Sequence, residues 1–184
     1  MADGGLKGAS RWGDSMPQAA GGLFAASRAA TNVFRPDVFF LGRTEGAGIL
    51  RDPSGRDRCR FTVATTGHSR PGRPEIEIRA TFTFEDGEAD AWRWVMRDSG
   101  AGNYLVAEAR AGAGIIGTYR GGDYVLRFRR PLGPARGMIA PRFVSRLTSL
   151  GPAVALKTVS IDILGVPLGN LTAVLHRLDP SPEQ

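Results

Sequence analysis

The sequence is poor in the residues that build cross-links and metal sites. Its single cysteine, Cys59, rules out an internal disulfide, so the fold does not require an oxidising compartment. Two histidines and one cysteine are too few for a zinc site of the His/Cys type, and no carboxylates stand at metal-ligand spacing. We therefore predict neither a metal nor any other cofactor.

Long apolar runs are also missing. No window approaches the ~18 consecutive apolar residues that a membrane-spanning helix needs. The Gly/Ala-rich run over 19–30 is short, is interrupted by Ser27 and Arg28, and follows the acidic Asp3, so it makes a poor signal peptide. We predict no transmembrane segment and favour a cytoplasmic location.

Acidic residues are outnumbered, since 18 Asp and Glu stand against 24 Lys and Arg, which leaves a net charge of +6. Lys7 and Lys157 are the only lysines, and the other basic residues are arginines. A basic balance is typical of proteins that bind nucleic acid or anionic lipid. Here the arginines are scattered along the chain and alternate with Asp and Glu, so we predict no nucleic-acid partner. The oligomeric state stays open.

Familiar catalytic motifs are absent or out of context. The string over 112–117 matches G-x-G-x-x-G, but a strand and a turn follow it where a dinucleotide site needs a helix. No G-x-S-x-G elbow is present. Carboxylates cluster at Glu85, Asp86, Glu88 and Asp90, where we interpret them as solvated residues of a hairpin turn. We predict no catalytic residue.

Glycine and proline, by contrast, are abundant: 25 and 12 residues divide the chain into short segments. Over 75–84 every second residue is apolar, which is the pattern of a half-buried strand. Similar patterns predict further strands near 43–50, 58–66, 89–96, 104–109, 115–119, 124–130, 154–164 and 170–178.

Successive strands joined by short turns, with no helices between them, indicate an antiparallel meander that stacks into a sandwich or closes into a barrel. We predict an all-β fold in which eight to nine strands close into a barrel over 36–178. Residues 1–35 are predicted to form a mobile tail or a short helix, around 23–34, that Pro36 would end. Residues 179–184 are predicted to form a second tail.

The strand pattern breaks down between 131 and 153, where prolines and glycines bracket the segment 142–150. One or two helical turns fit this segment. A loop of this length is often a lid or a binding loop. An irregular crossing that plugs one end of the barrel is the alternative.

Turn chemistry predicts which side chains face the barrel interior. A three-residue turn that ends with Gly87 in the left-handed conformation pairs Ala80 with Trp92. The same register pairs Ile78 with Trp94. The alternative two-residue turn would expose both indoles and waste the largest apolar areas in the chain. We therefore adopt the three-residue turn.

We predict an aromatic-walled cavity inside this barrel. A two-residue Gly121-Gly122 turn pairs Tyr119 with Tyr124 and so brings a second hairpin to the interior face. Arg142, or Arg146 near it, would offer its charge to a carboxylate head group. The predicted ligand-binding residues are Ile78, Phe82, Trp92, Trp94, Met96, Tyr104, Tyr124, Phe128 and Arg142.

A series of short motifs stands in a characteristic order. They are Asp37-Val-Phe-Phe-Leu-Gly-Arg-Thr-Glu-Gly-Ala-Gly48, Asp52-Pro-Ser-Gly55, Arg60-Phe-Thr-Val63, Phe82-Thr-Phe-Glu-Asp-Gly-Glu88 with Trp94, Tyr104, and Gly165-Val-Pro-Leu-Gly-Asn-Leu-Thr172. Together they resemble a family of uncharacterised bacterial lipoproteins with a lipocalin-like, calycin-type β-barrel, over about 37–178. The resemblance implies that barrel and allows an envelope location, but it implies no activity.

The chain departs from this family pattern in two places. No lipid-attachment cysteine lies near the N-terminus, because Cys59 falls within the barrel pattern, so the resemblance does not imply membrane anchoring here. The acidic stretch expected before the last hairpin is replaced by Pro-Arg-Phe-Val-Ser-Arg-Leu over 141–147. If this segment contacts a ligand, the exchange favours anionic groups.

Three functions fit such a barrel. The leading hypothesis is a non-catalytic barrel that binds a small hydrophobic or amphipathic ligand, because about eight strands leave an interior wide enough for one such molecule. The first alternative is a structural or protein-interaction domain with a filled barrel, and the second is an enzyme that acts on a hydrophobic substrate. Cavity volume separates the first two, and a buried ionisable group in the cavity would favour the enzyme.

Overall fold

This computed structural model describes residues 34–69, 71–120, 122–131 and 140–178. Within these ranges the chain folds into ten antiparallel strands. The strands are β1 (Gly42–Arg51), β2 (Asp57–Ser69), β3 (Glu75–Phe84), β4 (Ala89–Gly100), β5 (Asn103–Glu108), β6 (Gly112–Arg120), β7 (Asp123–Arg129), β8 (Arg142–Gly151), β9 (Val154–Ile163) and β10 (Val166–Leu178). Each strand pairs with its neighbours in sequence, and β1 pairs with β10, so the sheet closes into a barrel. The predicted lipocalin-like, all-β barrel is confirmed, with one strand more than expected.

The alternation of side chains gives each strand an inner and an outer face. In β2, Phe61, Val63 and Thr65 are buried while the residues between them are exposed. In β3, Ile78 and Phe82 are buried on the same side of the wall. The inner faces of the strands meet in one hydrophobic core, and arginines occupy much of the outside.

The strand that the sequence does not predict is β8. Its flanking prolines and glycines favour a loop or helical turns over 142–150, and this prediction is wrong. Phe143, Ser145 and Leu147 are buried, so the segment alternates like its neighbours. Phe143 pairs with Phe128 of β7 and the two rings stack at 5.1 Å. Pairing on both sides, to β7 and β9, makes the segment a strand despite its breakers.

The turn between β3 and β4 has the predicted geometry. The amide of Phe84 donates to the carbonyl oxygen of Glu88 at 2.9 Å, and Gly87 has a φ of +86°. Ala80 lies opposite Trp92, and Ile78 lies opposite Trp94. The register that turns both indoles inward is therefore confirmed.

A short helix, α1 (Pro36–Phe39), precedes β1 at one end of the barrel. Pro36 begins this helix, because a proline is tolerated in the first turn, where its missing N–H is not needed. The hydroxyl of Thr44 donates to the carbonyl oxygen of Phe39 at 3.4 Å and ties the helix to β1.

Phe34 belongs to the core although it lies in the predicted tail. It is 3% exposed, and its ring packs on Phe39, Phe40 and Tyr124. The hydroxyl of Tyr119 donates to the carbonyl oxygen of Phe34. The rest of the predicted tails, 1–33 and 179–184, and the helix predicted around 23–34 lie outside the described residues.

Gly87→Ala should lower the free energy of unfolding by about 1 kcal/mol, because a Cβ is disfavoured at its positive φ. Gly87→Asn should cost less, since asparagine tolerates the left-handed region. Chemical denaturation measures both. Gly151→Ala is the control: that position is equally open, but its φ is not positive. Equal losses at the two positions would contradict the strained turn.

Candidate ligand-binding cavity

The barrel encloses a cavity of about 250 Å³. Inward-facing side chains from eight of the strands line it, together with Phe40, which follows α1. The lining is apolar and largely aromatic. Its polar members are Thr65, Asp90, Tyr124, Ser145 and Lys157.

The two ends of the cavity differ in exposure. At the end near α1, the lining residues Phe40, Tyr124 and Leu175 are buried. At the opposite end, the lining residues Leu50 and Phe84 are only half-buried, as are Ile161 and Leu171. We infer that the mouth of the cavity lies at the end opposite α1.

Aromatic rings form one wall of the cavity. Trp92 and Trp94 stack with their centroids 5.6 Å apart. Phe128 meets Trp94 edge-on at 5.1 Å, and Phe143 meets Trp92 edge-on at 6.1 Å. Offset and edge-on pairs at these separations are favourable beyond the area that they bury, so these contacts stabilise the wall.

Seven of the nine predicted ligand-binding residues line the cavity: Ile78, Phe82, Trp92, Trp94, Met96, Tyr124 and Phe128. The five on β3 and β4 share one side because the register of that hairpin turns Trp92 and Trp94 to the same side as Ile78. The other two, Tyr124 and Phe128, lie on β7. The part of all seven in binding a ligand stays a prediction. Tyr104 and Arg142 lie elsewhere.

Tyr104 is buried beneath the closed end of the cavity rather than in its lining. Its ring meets Tyr124 edge-on at 5.6 Å, and its hydroxyl donates to Oδ1 of Asp37 at 2.7 Å. Burial, with the hydrogen bond to Asp37, raises the pKa of Tyr104 above its ordinary value. Tyr104 therefore joins α1 to the barrel wall.

Arg142 and Arg146 lie on the outside of the barrel, so their predicted place on a loop over the cavity is wrong. Both are in β8, where the inward positions belong to Phe143 and Ser145. The side chain of Arg142 is 51% exposed, and its Nε lies 2.8 Å from Oδ2 of Asp162. Arg146 pairs in the same way with Asp123 at 2.9 Å.

A buried charge cluster borders the cavity next to Trp92. Arg130 is 0% exposed, and its guanidinium carbon lies 3.7 Å from the Trp92 ring centroid. Its Nη1 and Nη2 donate to the carboxylate of Asp90 at 3.0 and 3.3 Å, and its Nε lies 3.5 Å from Oε1 of Glu108. The indole N–H of Trp92 also donates to Asp90, at 2.8 Å. The cluster fixes the orientation of Trp92.

Asp90 is therefore more than a solvated turn residue. Burial alone would raise its pKa, but the hydrogen bond and the charge of Arg130 outweigh burial and hold the pKa below its ordinary value. Glu85, Asp86 and Glu88 are exposed, as expected for a hairpin tip. The sequence offers no local signal that Arg130, 40 residues away, reaches Asp90.

Lys157 is the functional candidate that the sequence analysis misses. It lies on β9 between Ala155 and Val159, which are buried on the inner face, and it lines the cavity. Its Nζ lies 5.6 Å from the ring centroid of Phe82. Burial lowers the pKa of Lys157 to about 8. The sequence contains one signal for this position: Lys157 shares its strand face with the apolar residues Ala155, Val159 and Ile161.

A second concavity, of about 620 Å³, lies over the wall formed by β10, β1, β2 and β3. It is open to solvent, and its rim includes Ala47, Thr62, Thr83 and Val174. An open groove buries little of a small ligand. The enclosed cavity is therefore the better candidate site.

Comparison with known proteins supports the fold. A sequence model of the family described as "Protein of unknown function (DUF3833)" matches residues 23–177. No curated protein matches the sequence. No helix within the described ranges has the length and apolar character needed to cross a membrane.

Several solved structures are similar to this chain, among them the two that follow. An S-type phycobiliprotein lyase, CPES from Guillardia theta, has a TM-score of 0.56 at 9% identity, over 77% of this chain and 89% of that protein. Rv2717c from M. tuberculosis has a TM-score of 0.53 at 19% identity, over 79% of this chain and 99% of that protein. At these identities the likeness concerns the fold alone.

Lys157→Met should raise the free energy of unfolding near pH 7 by roughly 1–3 kcal/mol. A folded-state pKa of about 8 against an ordinary 10.5 means that burial penalises the ammonium form by ~1.36 kcal/mol per unit. Between pH 8 and 10.5 the folded protein releases this proton while the unfolded chain keeps it, so the native lysine becomes less destabilising as pH rises.

The advantage of Lys157→Met should therefore shrink between about pH 7 and pH 10, measured by denaturant unfolding of both proteins. Arg142→Met removes an exposed, paired charge and serves as the control; its effect should be small and constant over this range. A Lys157→Met protein that is less stable than wild type at both pH values would contradict the buried, unpaired ammonium.

Proposed function

The chain belongs to the DUF3833 family of proteins of unknown function, and we propose that it is a non-catalytic β-barrel that binds a small hydrophobic or amphipathic molecule. The observation that carries this proposal is the enclosed, aromatic-walled cavity of about 250 Å³. This volume lies just below the ~300–1,000 Å³ that is usual for small-molecule sites. It favours a compact ligand over a long-chain lipid.

The volume of the cavity argues against a filled structural barrel, because protein interiors contain few voids larger than a water molecule. The lining is mostly apolar, so a bound apolar ligand would remove this surface from contact with water. Burial of apolar surface is favourable by about 25 cal/mol per Å².

An enzyme that acts on a hydrophobic substrate is the second candidate. Lys157 favours it, because an ionisable group with a shifted pKa inside a cavity is typical of active sites. Against it, Asp90 is held by Arg130, and the described lining residues include no nucleophile paired with a base. Mass spectrometry of the bound molecule separates the two functions, since a binding protein returns its ligand unaltered.

A neutral apolar dye, N-phenylnaphthylamine, should bind saturably and change the tryptophan emission, because both stacked indoles lie in the cavity wall. Trp94→Ala should weaken binding by about 3- to 10-fold, the value of one aromatic pair. Arg79→Ala is the control: Arg79 lies on the outer face of the strand that carries Ile78, and it should have no effect. If no dye binds and a quencher reaches both indoles, the cavity is not a binding site.

Filling the cavity should abolish dye binding. Ser145→Phe places a ring in the interior, because Ser145 is buried and lines the cavity. Ser160→Phe makes the same exchange at an exposed position on β9 and should leave binding unchanged. Circular dichroism checks that both variants fold, and fluorescence titration measures their affinity. Equal affinities for the two folded variants would place the dye outside the barrel.

A further inference from the structure

Lys157 brings a positive charge into an otherwise apolar part of the cavity. Its neighbours across the sheet are Leu147 of β8 and Ala173 of β10. Phe82 faces its Nζ from β3. The side chain keeps some accessible area, and because it lines the cavity, we infer that this area faces the cavity.

No anionic side chain among the described residues balances this charge. Within those residues Lys157 makes no hydrogen bond and no ion pair, and its Nζ lies over the face of the Phe82 ring. The inward residues of β8 are Phe143, Ser145 and Leu147, none of which titrates. Those of β10 nearest to it are Leu171, Ala173 and Leu175.

The remaining titratable groups of the lining do not form an ion pair with Lys157 either. Asp90 on β4 already accepts hydrogen bonds from Arg130 and Trp92 and lies 3.5 Å from Nη1 of Arg110. Tyr124 on β7 is buried, and burial raises its pKa, so it stays neutral. A buried ammonium that lacks a partner is costly unless an anion reaches it.

We propose that Lys157 is the anchor for the carboxylate of an apolar monocarboxylic acid, which lies head-inward with its apolar part along the Trp92–Trp94 wall. This inference rests on the proposed function. The ammonium donates to the carboxylate oxygens as a charge-assisted hydrogen bond, which is the strong kind in an apolar surrounding. Fatty acids and aromatic acids share this chemistry.

The depth of Lys157 limits the length of the ligand. Ile161, the half-buried lining residue near the mouth, lies four positions further along β9, and four positions span ~13 Å of a strand. A medium-length alkyl chain or a ring acid fits this depth, in agreement with the cavity of about 250 Å³.

The anchor makes binding depend on pH. Without ligand, Lys157 releases its proton near pH 8, and a bound carboxylate would raise this pKa. The affinity for the acid should therefore be constant between about pH 6 and 7, where both groups are charged, and should fall above pH 8 as the ammonium is lost. The affinity for an uncharged ligand of the same shape should not fall.

The experiment compares decanoic acid with decanol as competitors of N-phenylnaphthylamine. In the wild-type protein at pH 7 the acid should bind at least about tenfold more tightly than the alcohol. Lys157→Met should reduce this ratio to about one while the alcohol still binds. Arg142→Met removes a charge from the outer face of the neighbouring strand, and the ratio should stay at the wild-type value.

The outcomes separate this inference from the proposed function. If neither competitor displaces the dye and the dye itself does not bind, the proposed function fails. If both bind equally to wild type, or if Lys157→Met keeps the preference for the acid, the anchor is wrong and the cavity stands. Wild type alone gives a second test that needs no variant: an acid-to-alcohol ratio that is unchanged from pH 7 to pH 9.5 would overturn the anchor.

Discussion

The pairing of β1 with β10 is the constraint on which the rest of the structure depends. It closes the sheet, so each of the ten described strands has a neighbour on both sides and an inner face. Gly48 of β1 lies too close to β10 for a side chain, because a Cβ there would lie 2.4 Å from the carbonyl oxygen of Thr172. Without the pairing of β1 with β10 the inward side chains would line an open sheet rather than a cavity.

Side chains pack closely at one end of the closed barrel and along one wall of its cavity. At one end α1 and the rings of Phe34, Phe39 and Phe40 extend the core, and Tyr104 ties the helix to the wall through Asp37. At the cavity wall, Arg130 stacks on Trp92 and holds Asp90. The interior of the barrel contains a cavity and the unpaired Lys157. Both features cost stability, and such departures from good packing are expected at functional sites.

Much of the fold could be predicted from local pattern. Strict alternation over 75–84 and the left-handed Gly87 determine a hairpin register, and that register alone decides that Trp92 and Trp94 face inward. Five of the predicted residues that line the cavity follow from this parity, namely Ile78, Phe82, Trp92, Trp94 and Met96. β8 could not be predicted in the same way, because the breakers beside it are local, whereas the pairing that makes it a strand comes from β7 and β9.

The sequence by itself determined the strands with clear alternation, the turn chemistry and the two faces of the β3–β4 hairpin. Only the tertiary structure decided that Arg142 points outward to Asp162, that Arg130 reaches Asp90, and that Lys157 stands inside. The physical reason is that periodicity sorts residues onto two faces of one strand. Which face is enclosed, and which charges then meet across it, depends on the register between distant strands in the closed barrel.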